Sequence, residues 1–268
     1  MPPLSSNWVS RAPGEVGRLE ACFSGQPFAP HRHDTYAVAI TLAGVQSFRY
    51  RGVTQHSLPG QIVVIHPDEL HDGRAGDGTT FRYRGLYLRP SELQNVLGGC
   101  ALPFLEGGVS SHPPLLRAAW TLLDDLTRAL DTAEFEDGLH ELALALLGVA
   151  NVRSKQARVD YAAVLRAREH IEAHLDDAFE LADLERACDR DRWQLSRDFR
   201  SVLGASPYRY WIHRRLDCAR AMIRAGHSLA DVASACGFAD QSHFTRHFKK
   251  TYGVTPKVWS RHEGTASA

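Results

Sequence analysis

Two clusters of polar side chains have the spacing of binding sites. Near the start of the sequence, "PHRHDTY" places His31 and His33 two residues apart at the start of a predicted strand, where alternate side chains share a face. His71 follows a Pro-Gly turn in "LPGQIVVIHPDELHDG". Neutral imidazole binds Zn²⁺ and Fe²⁺, so the three histidines could form a metal site with an open position. The alternative is that they line a pocket for a small organic ligand.

The second cluster lies near the end of the sequence, in "CGFADQSHFTRHFKKTYGVTPKVW". Phe244 and Phe248 are four residues apart, which predicts a helix from about Ser242 with an apolar stripe. Upstream, "SLADVASACGF" predicts a shorter helix with Ser228 as its N-cap and Gly237, which tolerates a positive φ, at its end. Two short helices joined by a glycine turn indicate a helix-turn-helix, whose second helix enters the DNA major groove.

This pattern occurs twice. The segment "LADLERACDRDRWQLSRDFRSVLGASPYRYW" from Leu181 repeats "LADVASACGFADQSHFTRHFKKTYGVTPKVW" from Leu229. Between the copies, "SPYRYWIHRRLDCARAMIRAG" predicts one helix from the region of Pro207 to Gly226. Its roughly 18 residues span about 27 Å, which is close to the about 34 Å of one DNA turn. A spacer of that length would let both second helices read the same face of a duplex.

The last hundred residues resemble the DNA-binding domain of the AraC/XylS family of bacterial transcription regulators, through the two repeats quoted above. The resemblance implies two helix-turn-helix units that bind adjacent major-groove segments of promoter DNA. Residues at its base-reading positions are Trp193, Ser196 and Arg197 in the first unit and Gln241, Ser242, His243 and Arg246 in the second. Residues cast as phosphate contacts are Arg192, Arg200, Lys249, Lys250 and Lys257. Predicted core residues are Cys188, Leu195, Phe199, Cys236, Phe244 and Phe248.

Charge is divided unevenly along a chain whose formal net charge is +0. From Arg190 onward there are 14 Lys and Arg against 6 Asp and Glu, whereas the rest holds 17 basic and 25 acidic residues. A basic C-terminal region is the electrostatic footprint expected for phosphate binding. Five scattered cysteines without CxxC spacing favour reduced thiols, and neither a signal peptide nor a membrane span is predicted. We therefore expect a cytoplasmic protein without a membrane partner.

The N-terminal half predicts a different fold. "TYAVAITLAG", "QSFRYRG", "GQIVVIHP" and "TFRYRGLYL" are typical of antiparallel strands. The histidine pattern resembles a cupin barrel, but the glutamate that cupin enzymes place after His-x-His is missing from residues 34–37. The family resemblance implies a small-molecule effector and no metal or other cofactor. The strand alternation places Tyr36, Val38 and Ile40 on a pocket face. The residues expected to bind effector are His31, His33, Tyr36, Tyr50, His71 and Tyr83.

Two further segments complete the predicted organisation. "PPLLRAAWTLLDDLTRAL" and "EFEDGLHELALALLGVA" predict two helices. The family uses such helices to pair subunits, so a homodimer seam through Leu122, Leu126, Leu142 and Leu146 is one interpretation, and packing against the chain's own barrel is the other. "NVRSKQARVD" is polar and predicts a linker.

We therefore expect a two-domain α+β protein. Residues 1–150 would form an antiparallel, cupin-like β-barrel with two helices, residues 151–160 a linker, and residues 161–263 an all-α domain with two helix-turn-helix units. The predicted function is a sequence-specific transcription regulator, not an enzyme, with RNA polymerase as a further partner. The alternative is a metal-dependent cupin enzyme fused to a DNA-binding domain.

Overall fold

The computed structural model describes residues 7–14, 17–25, 28–76, 80–150, 159–177 and 179–264, and the side chains through residue 260. The chain divides into two compact units, residues 1–157 and 158–268. Most of the predicted linker, residues 151–158, lies outside the described residues. In the described ranges, no helix combines the length and the apolar character that crossing a bilayer requires.

The N-terminal unit contains two antiparallel sheets. Along the six-stranded sheet, neighbouring strands follow the order β1 (Trp8–Arg11), β2 (Gly17–Ser24), β9 (Thr80–Leu88), β4 (Tyr36–Ala43), β7 (Ile62–Ile65) and β10 (Val109–Ser110). The four-stranded sheet has the order β3 (Phe28–His31), β8 (His71–Ala75), β5 (Gln46–Tyr50) and β6 (Val53–Ser57). The four quoted strand segments correspond to β4, β5, β7 and β9, as predicted.

The six-stranded sheet is covered on both faces. Toward the four-stranded sheet it presents Ala39, Val63 and Tyr83, which belong to one buried apolar cluster with Phe48. The alternate residues of the same strands pack against the helices in a second buried cluster. These residues are Tyr36, Val38, Ile40, Ile62, Val64, Leu86 and Leu88. The expectation that Tyr36, Val38 and Ile40 line the pocket is therefore wrong for Tyr36 and Ile40, whereas Val38 is among the residues that line the cavity between the sheets.

Among the described residues, three α-helices pack on this sheet rather than the two expected: α1 (Pro90–Leu97), α2 (Pro113–Leu123) and α3 (Thr132–Val149). A short 3₁₀ turn at Glu106–Gly108 precedes β10. Leu122, Leu142 and Leu146 are fully buried among the chain's own apolar residues. They are consequently unavailable for the dimer seam proposed for them, and the alternative of packing within the chain is the one observed.

Helix α2 ends at Leu123, earlier than the leucine pattern predicted. Arg18 of β2 is buried and donates hydrogen bonds to the carbonyl oxygens of Leu122, Asp125 and Arg128 at 3.1, 2.8 and 2.6 Å. Arg84 of β9 donates to Leu123 O at 3.0 Å. Guanidinium groups thus take over carbonyls that a longer helix would use internally, and cations at a helix C-terminus are electrostatically favourable.

The C-terminal unit is entirely helical in the part the structure describes. Its elements are α4 (Tyr161–Ala173), α5 (Leu181–Cys188), α6 (Arg192–Leu203), α7 (Pro207–Arg224), α8 (Leu229–Ala235), α9 (Gln241–Tyr252) and α10 (Pro256–Gly264). Helices α5 and α6 form the first helix-turn-helix, and α8 and α9 form the second. Ser228 caps α8 and Gly237 has φ +70°, as predicted. The six residues predicted to be core are all buried.

The 18-residue helix α7 ties the two helix-turn-helix units together. Its Arg215 is buried and lies over the ring of Trp211, 3.7 Å from the ring centroid. The guanidinium donates to Leu175 O at 2.6 Å and Asp177 O at 3.0 Å, before α5, and to Gly237 O in the turn between α8 and α9. One side chain therefore joins the entry of the first unit to the turn of the second.

Candidate DNA interface and ligand cavity

Helix α6 presents most of the side chains predicted to face DNA from the first unit. Its N-cap is Asp191, whose carboxylate accepts hydrogen bonds from the backbone N–H groups of Trp193 and Gln194 at 3.0 and 3.2 Å. Trp193 is 76% exposed, and Arg197 and Arg200 are also exposed. Ser196 is half-buried. An exposed tryptophan beside arginine offers apolar contact and hydrogen bonding on one helix face.

Arg192 is engaged within the protein. Its guanidinium bonds both carboxylate oxygens of Glu185 on α5, at 3.1 and 2.8 Å, and its backbone N–H donates to the same carboxylate at 2.8 Å. These hydrogen bonds lower the pKa of the Glu185 carboxyl. Arg192 thus links the two helices of the first unit, and its charge is partly balanced before DNA is considered.

Helix α9 presents the corresponding surface of the second unit. Asp240 caps it by accepting from the backbone N–H of His243 at 2.7 Å. His243 is half-buried against Phe238, with ring centroids 5.7 Å apart. The exposed side chains are Gln241, Ser242, Arg246, Lys249 and Lys250, and the helix sequence "QSHFTRHFKKTY" contains no acidic residue. Lys257, at the start of α10, is also exposed.

His247 is a neighbour of this surface that the sequence reasoning missed. It lies one turn after His243, with ring centroids 4.6 Å apart. Burial, followed by the nearby His243, Lys250 and Arg246, lowers the pKa of His247 to about 4. The imidazole is therefore neutral at physiological pH. The signal that could have found it is the i, i+4 histidine pair within "SHFTRHF".

A different arrangement of polar groups occurs in the N-terminal unit, where His31, His33 and His71 come together. His31 ends β3 and is the register partner of His71 at the start of β8, while His33 lies in the loop before β4, not in a strand as predicted. The His71 ring centroid is 4.3 Å from that of His31 and 4.7 Å from that of His33. One ring nitrogen of each histidine lies within 4.8 Å of one ring nitrogen of both others.

The three imidazoles share a hydrogen-bonding pattern. Each Nδ1 lies against a backbone carbonyl oxygen: Ala29 O at 2.8 Å for His31, Thr35 O at 2.8 Å for His33, and Glu69 O at 3.0 Å for His71. Burial lowers the pKa of His31 below its ordinary value. Burial, with His33 and His31 as further causes, lowers the pKa of His71 well below it. Carbonyls only accept, so the Nδ1 atoms carry the hydrogens.

These histidines border a cavity of about 60 Å³ between the two sheets. Tyr83 lines it, as predicted, whereas in the described chain Tyr36 and Tyr50 are not among its lining residues. Tyr36 donates to Pro103 O at 2.9 Å on the helical side, and the Tyr50 hydroxyl is 2.6 Å from Nδ1 of His66. Lining residues that the effector prediction omitted include Phe28, Ala37, Val63, Ile65 and Tyr87.

The fold and the two sites together define a helix-turn-helix transcription regulator with an N-terminal ligand-binding domain. A family model described as the AraC-like ligand binding domain matches residues 13–145, and one described as a helix-turn-helix domain matches residues 184–262. The chain belongs to the AraC family of transcription regulators. The matched domains and relatives are regulators rather than enzymes, so the alternative of a fused cupin enzyme has no support.

Two relatives match over most of their length. The chain is 27% identical over 226 residues to an uncharacterized HTH-type transcriptional regulator, YbfI, of Bacillus subtilis, covering 81% of this chain and 82% of that protein. It is 24% identical over 250 residues to the HTH-type transcriptional activator RhaS of Yersinia pestis, covering 89% and 91%.

A solved structure shares the fold. ToxT from Vibrio cholerae aligns with a TM-score of 0.65 at 12% identity, covering 91% of this chain and 96% of that one. Another ToxT structure, solved with an unsaturated fatty acid bound, aligns with a TM-score of 0.61 at 12% identity, covering 94% and 96%. These likenesses confirm the two-domain fold, with a sheet-rich N-terminal domain and a helical C-terminal domain.

Proposed function

We propose that α6 and α9 read adjacent major-groove segments of promoter DNA, and that a ligand in the cavity between the sheets controls this binding. The observation that carries the DNA proposal is the pair of capped helices, α6 and α9, with exposed polar faces. Arg215 of α7 connects the two units to which these helices belong, through hydrogen bonds to Leu175 O and Gly237 O. Arg197 and Arg246 are the proposed base readers, because arginine pairs bidentately with guanine O6 and N7. Arg200, Lys249, Lys250 and Lys257 are the proposed phosphate contacts.

Three finer assignments belong to this proposal. The two facing sheets are interpreted as an open, cupin-like barrel. The active species is a homodimer that works with RNA polymerase in the cytoplasm, and the outward side of α3, where Leu144 is 53% exposed, is the proposed contact between copies. The N-terminal domain is proposed to end near residue 150 and the C-terminal domain to begin near residue 161, with residues 151–160 as the linker between them.

The cavity size bears on how the ligand acts. A space of about 60 Å³ holds a few water molecules, whereas pockets for organic ligands are typically about 300–1,000 Å³. An organic effector must therefore displace lining side chains such as Phe28, Phe48 and Tyr83. Tyr83 and Arg84 are consecutive on β9, and Arg84 binds the end of α2. Displacing Tyr83 would therefore shift Arg84 and the end of α2 that it binds, so that ligand binding would change the packing of the helices.

The test begins with genomic DNA fragments captured by the full-length chain. A cognate fragment should bind about 10³-fold or more tighter than random DNA at physiological salt. The Arg197→Ala and Arg246→Ala variants should each lose part of this preference, and equal affinity of the unaltered chain for both DNAs would contradict the proposal.

Coupling between the domains has its own test. A fragment spanning residues 159–262 should still bind the cognate site but should no longer respond to the effector. In the full chain, Tyr83→Ala should abolish the response while basal DNA binding stays within a few fold. Because linkage is reciprocal, DNA must change effector affinity by the same factor as effector changes DNA affinity. A fragment that responds by itself would show that the cavity is not the sensor.

A further inference from the structure

The histidine cluster combines three features that point to a specific kind of ligand. The first is convergence: His31, His33 and His71 come from three separate places, the end of β3, the following loop and the start of β8, yet their rings meet. Their potential ligand nitrogens lie within 4.8 Å of one another. At Zn–N distances of about 2.0–2.1 Å, tetrahedral ligand nitrogens are about 3.3 Å apart, so modest ring rotations would bring the three onto one ion.

The second feature is the tautomer. Because each Nδ1–H donates to a backbone carbonyl, a neutral ring has its lone pair on Nε2. A hydrogen bond from the second ring nitrogen to a carbonyl is what orients histidine ligands in metal sites. The cluster therefore presents three acceptors, a set that suits a cation and does not suit the carboxylate of an acidic ligand.

The third feature is the space beside the cluster. The cavity of about 60 Å³ accommodates an ion with a few waters without displacing its apolar walls. Asp72, next to His71, also lines the cavity and adds negative charge, and its Oδ1 accepts from the Arg49 backbone N–H at 2.7 Å. The nearby Arg32 directs its guanidinium to the carbonyl oxygen of Asp68.

We propose that His31, His33 and His71 bind one divalent transition-metal ion through Nε2, with the remaining coordination positions open toward the cavity. Those positions would hold water or an oxygen donor of an effector. The inference deepens the proposed function, on which its regulatory meaning rests, by naming the chemistry with which the cavity holds a ligand. Imidazole donors suit Zn²⁺, Co²⁺, Ni²⁺ and Fe²⁺ over Mg²⁺ or Ca²⁺, which prefer oxygen.

The test uses the full-length chain, treated with a chelator and titrated with Co²⁺ as a spectroscopic probe. We expect one equivalent to bind and to give the visible absorption of a low-symmetry cobalt–imidazole complex, and Zn²⁺ to displace it. His33→Ala and His71→Ala should each weaken Co²⁺ binding by more than the about 10–100-fold typical of losing an outer-shell partner. His140→Ala, which removes an exposed imidazole of α3, is the matched control and should bind as the unaltered chain does.

Folding of the variants is checked by circular dichroism in the absence of metal. Failure of the unaltered chain to bind stoichiometric Co²⁺ would overturn the proposal without reference to any variant, as would undiminished binding in folded His33→Ala and His71→Ala. Cognate-DNA affinity of the metal-free chain is measured in parallel. Stoichiometric cobalt binding without DNA selectivity would refute the proposed function and leave the metal site standing, and the reverse result would refute the metal site alone.

Discussion

The first helix-turn-helix, α5 and α6, and the second, α8 and α9, share a sequence pattern but use their polar side chains differently. In the first, Arg192 is held by Glu185, and the buried Asp198 lies 3.5 Å from Arg190. In the second, Arg246, Lys249 and Lys250 are exposed on a helix that contains no acidic residue. The first unit therefore uses these two arginines in ion pairs within the protein and exposes two others, whereas the Arg and Lys side chains of α9 are all exposed.

Their turns differ as well. The first turn places Asp189 in the left-handed region, with φ +49°, and the second uses Gly237, with φ +70°. A Cβ on Gly237 would lie 2.6 Å from Nη2 of Arg215. The second turn thus needs glycine for two reasons, backbone conformation and space, whereas the first tolerates a side chain. The two copies of the motif keep the same fold, but the second depends on Arg215, which we call a clamp because it bonds both units.

The largest effect is expected from removing that clamp. Arg215→Ala would leave the part-buried carbonyls of Leu175, Asp177 and Gly237 without their charged donor, and a hydrogen bond to a charged group typically contributes about 1.5–3 kcal/mol. We expect the free energy of unfolding of the C-terminal unit to fall by about 3 kcal/mol or more in urea titrations of the full chain. Arg186→Ala, which removes an exposed ion pair with Asp183 on α5, is the control and should cost less than about 1 kcal/mol. Equal costs would show that Arg215 is not a clamp.

The turns should respond in opposite directions. Gly237→Ala combines a left-handed backbone with a clash, so we expect at least the about 1–2 kcal/mol that this conformation costs a residue with a Cβ. Asp189→Gly removes that strain in the first turn and should be neutral or stabilising. Thermal unfolding of both variants measures the change in stability at each turn. A loss of stability of similar size at both positions would show that the two turns do not differ in their need for glycine.

Base reading is the next largest effect. Replacing Arg197 or Arg246 by Ala should cost about 1–3 kcal/mol at the cognate site and relax preference at one base position. Binding to a panel of single-base variants of the site measures this. The Arg192→Ala variant provides the contrast, since its guanidinium is committed to Glu185 and should influence stability more than base preference. Uniform loss on every sequence would reassign Arg197 and Arg246 to phosphate contact.

The smallest effect is a change in salt dependence. Lys250→Ala should weaken binding to cognate and random DNA alike, and should reduce the slope of log affinity against log salt by about one unit. Arg200→Ala tests the same property in the first unit. If the second unit carries more of the phosphate contact, its lysines should account for more of the total slope, and a larger change from Arg200→Ala would reverse the comparison.

The helical unit was the easier one to predict. Caps such as Ser228, glycines such as Gly237 and the Phe244–Phe248 spacing are local signals, and a repeat displays them twice. The end of α2 was misplaced because what stops it, Arg18, lies about a hundred residues earlier in the chain. No pattern within α2 carries that information.

The cavity was harder to predict, for a reason specific to its strands. In β4 both faces are buried, so Tyr36 and Ala37 differ in neighbours but not in the polarity that a sequence reveals. Choosing the wrong face moved Tyr36 into the pocket, because a one-residue shift exchanges the two sides of a strand. The three histidines do lie together, as the sequence analysis expected. Their grouping could be predicted because His-x-His and the later histidine stand out in the sequence whichever strand register is assumed.

Helix α7 sets a phase as well as a distance. Each residue of an α-helix adds about 1.5 Å and turns the chain by about 100°. If both units bind one duplex as proposed, the length of α7 therefore fixes where around that duplex the second unit faces relative to the first. One inserted residue would swing α9 away from the face that α6 occupies. Four would bring it nearly back while moving it about 6 Å along the helix axis. If both units bind one duplex as proposed, the number of residues in α7 sets the separation of the two DNA segments, and the hydrogen bonds of Arg215 help to hold the two units in that geometry.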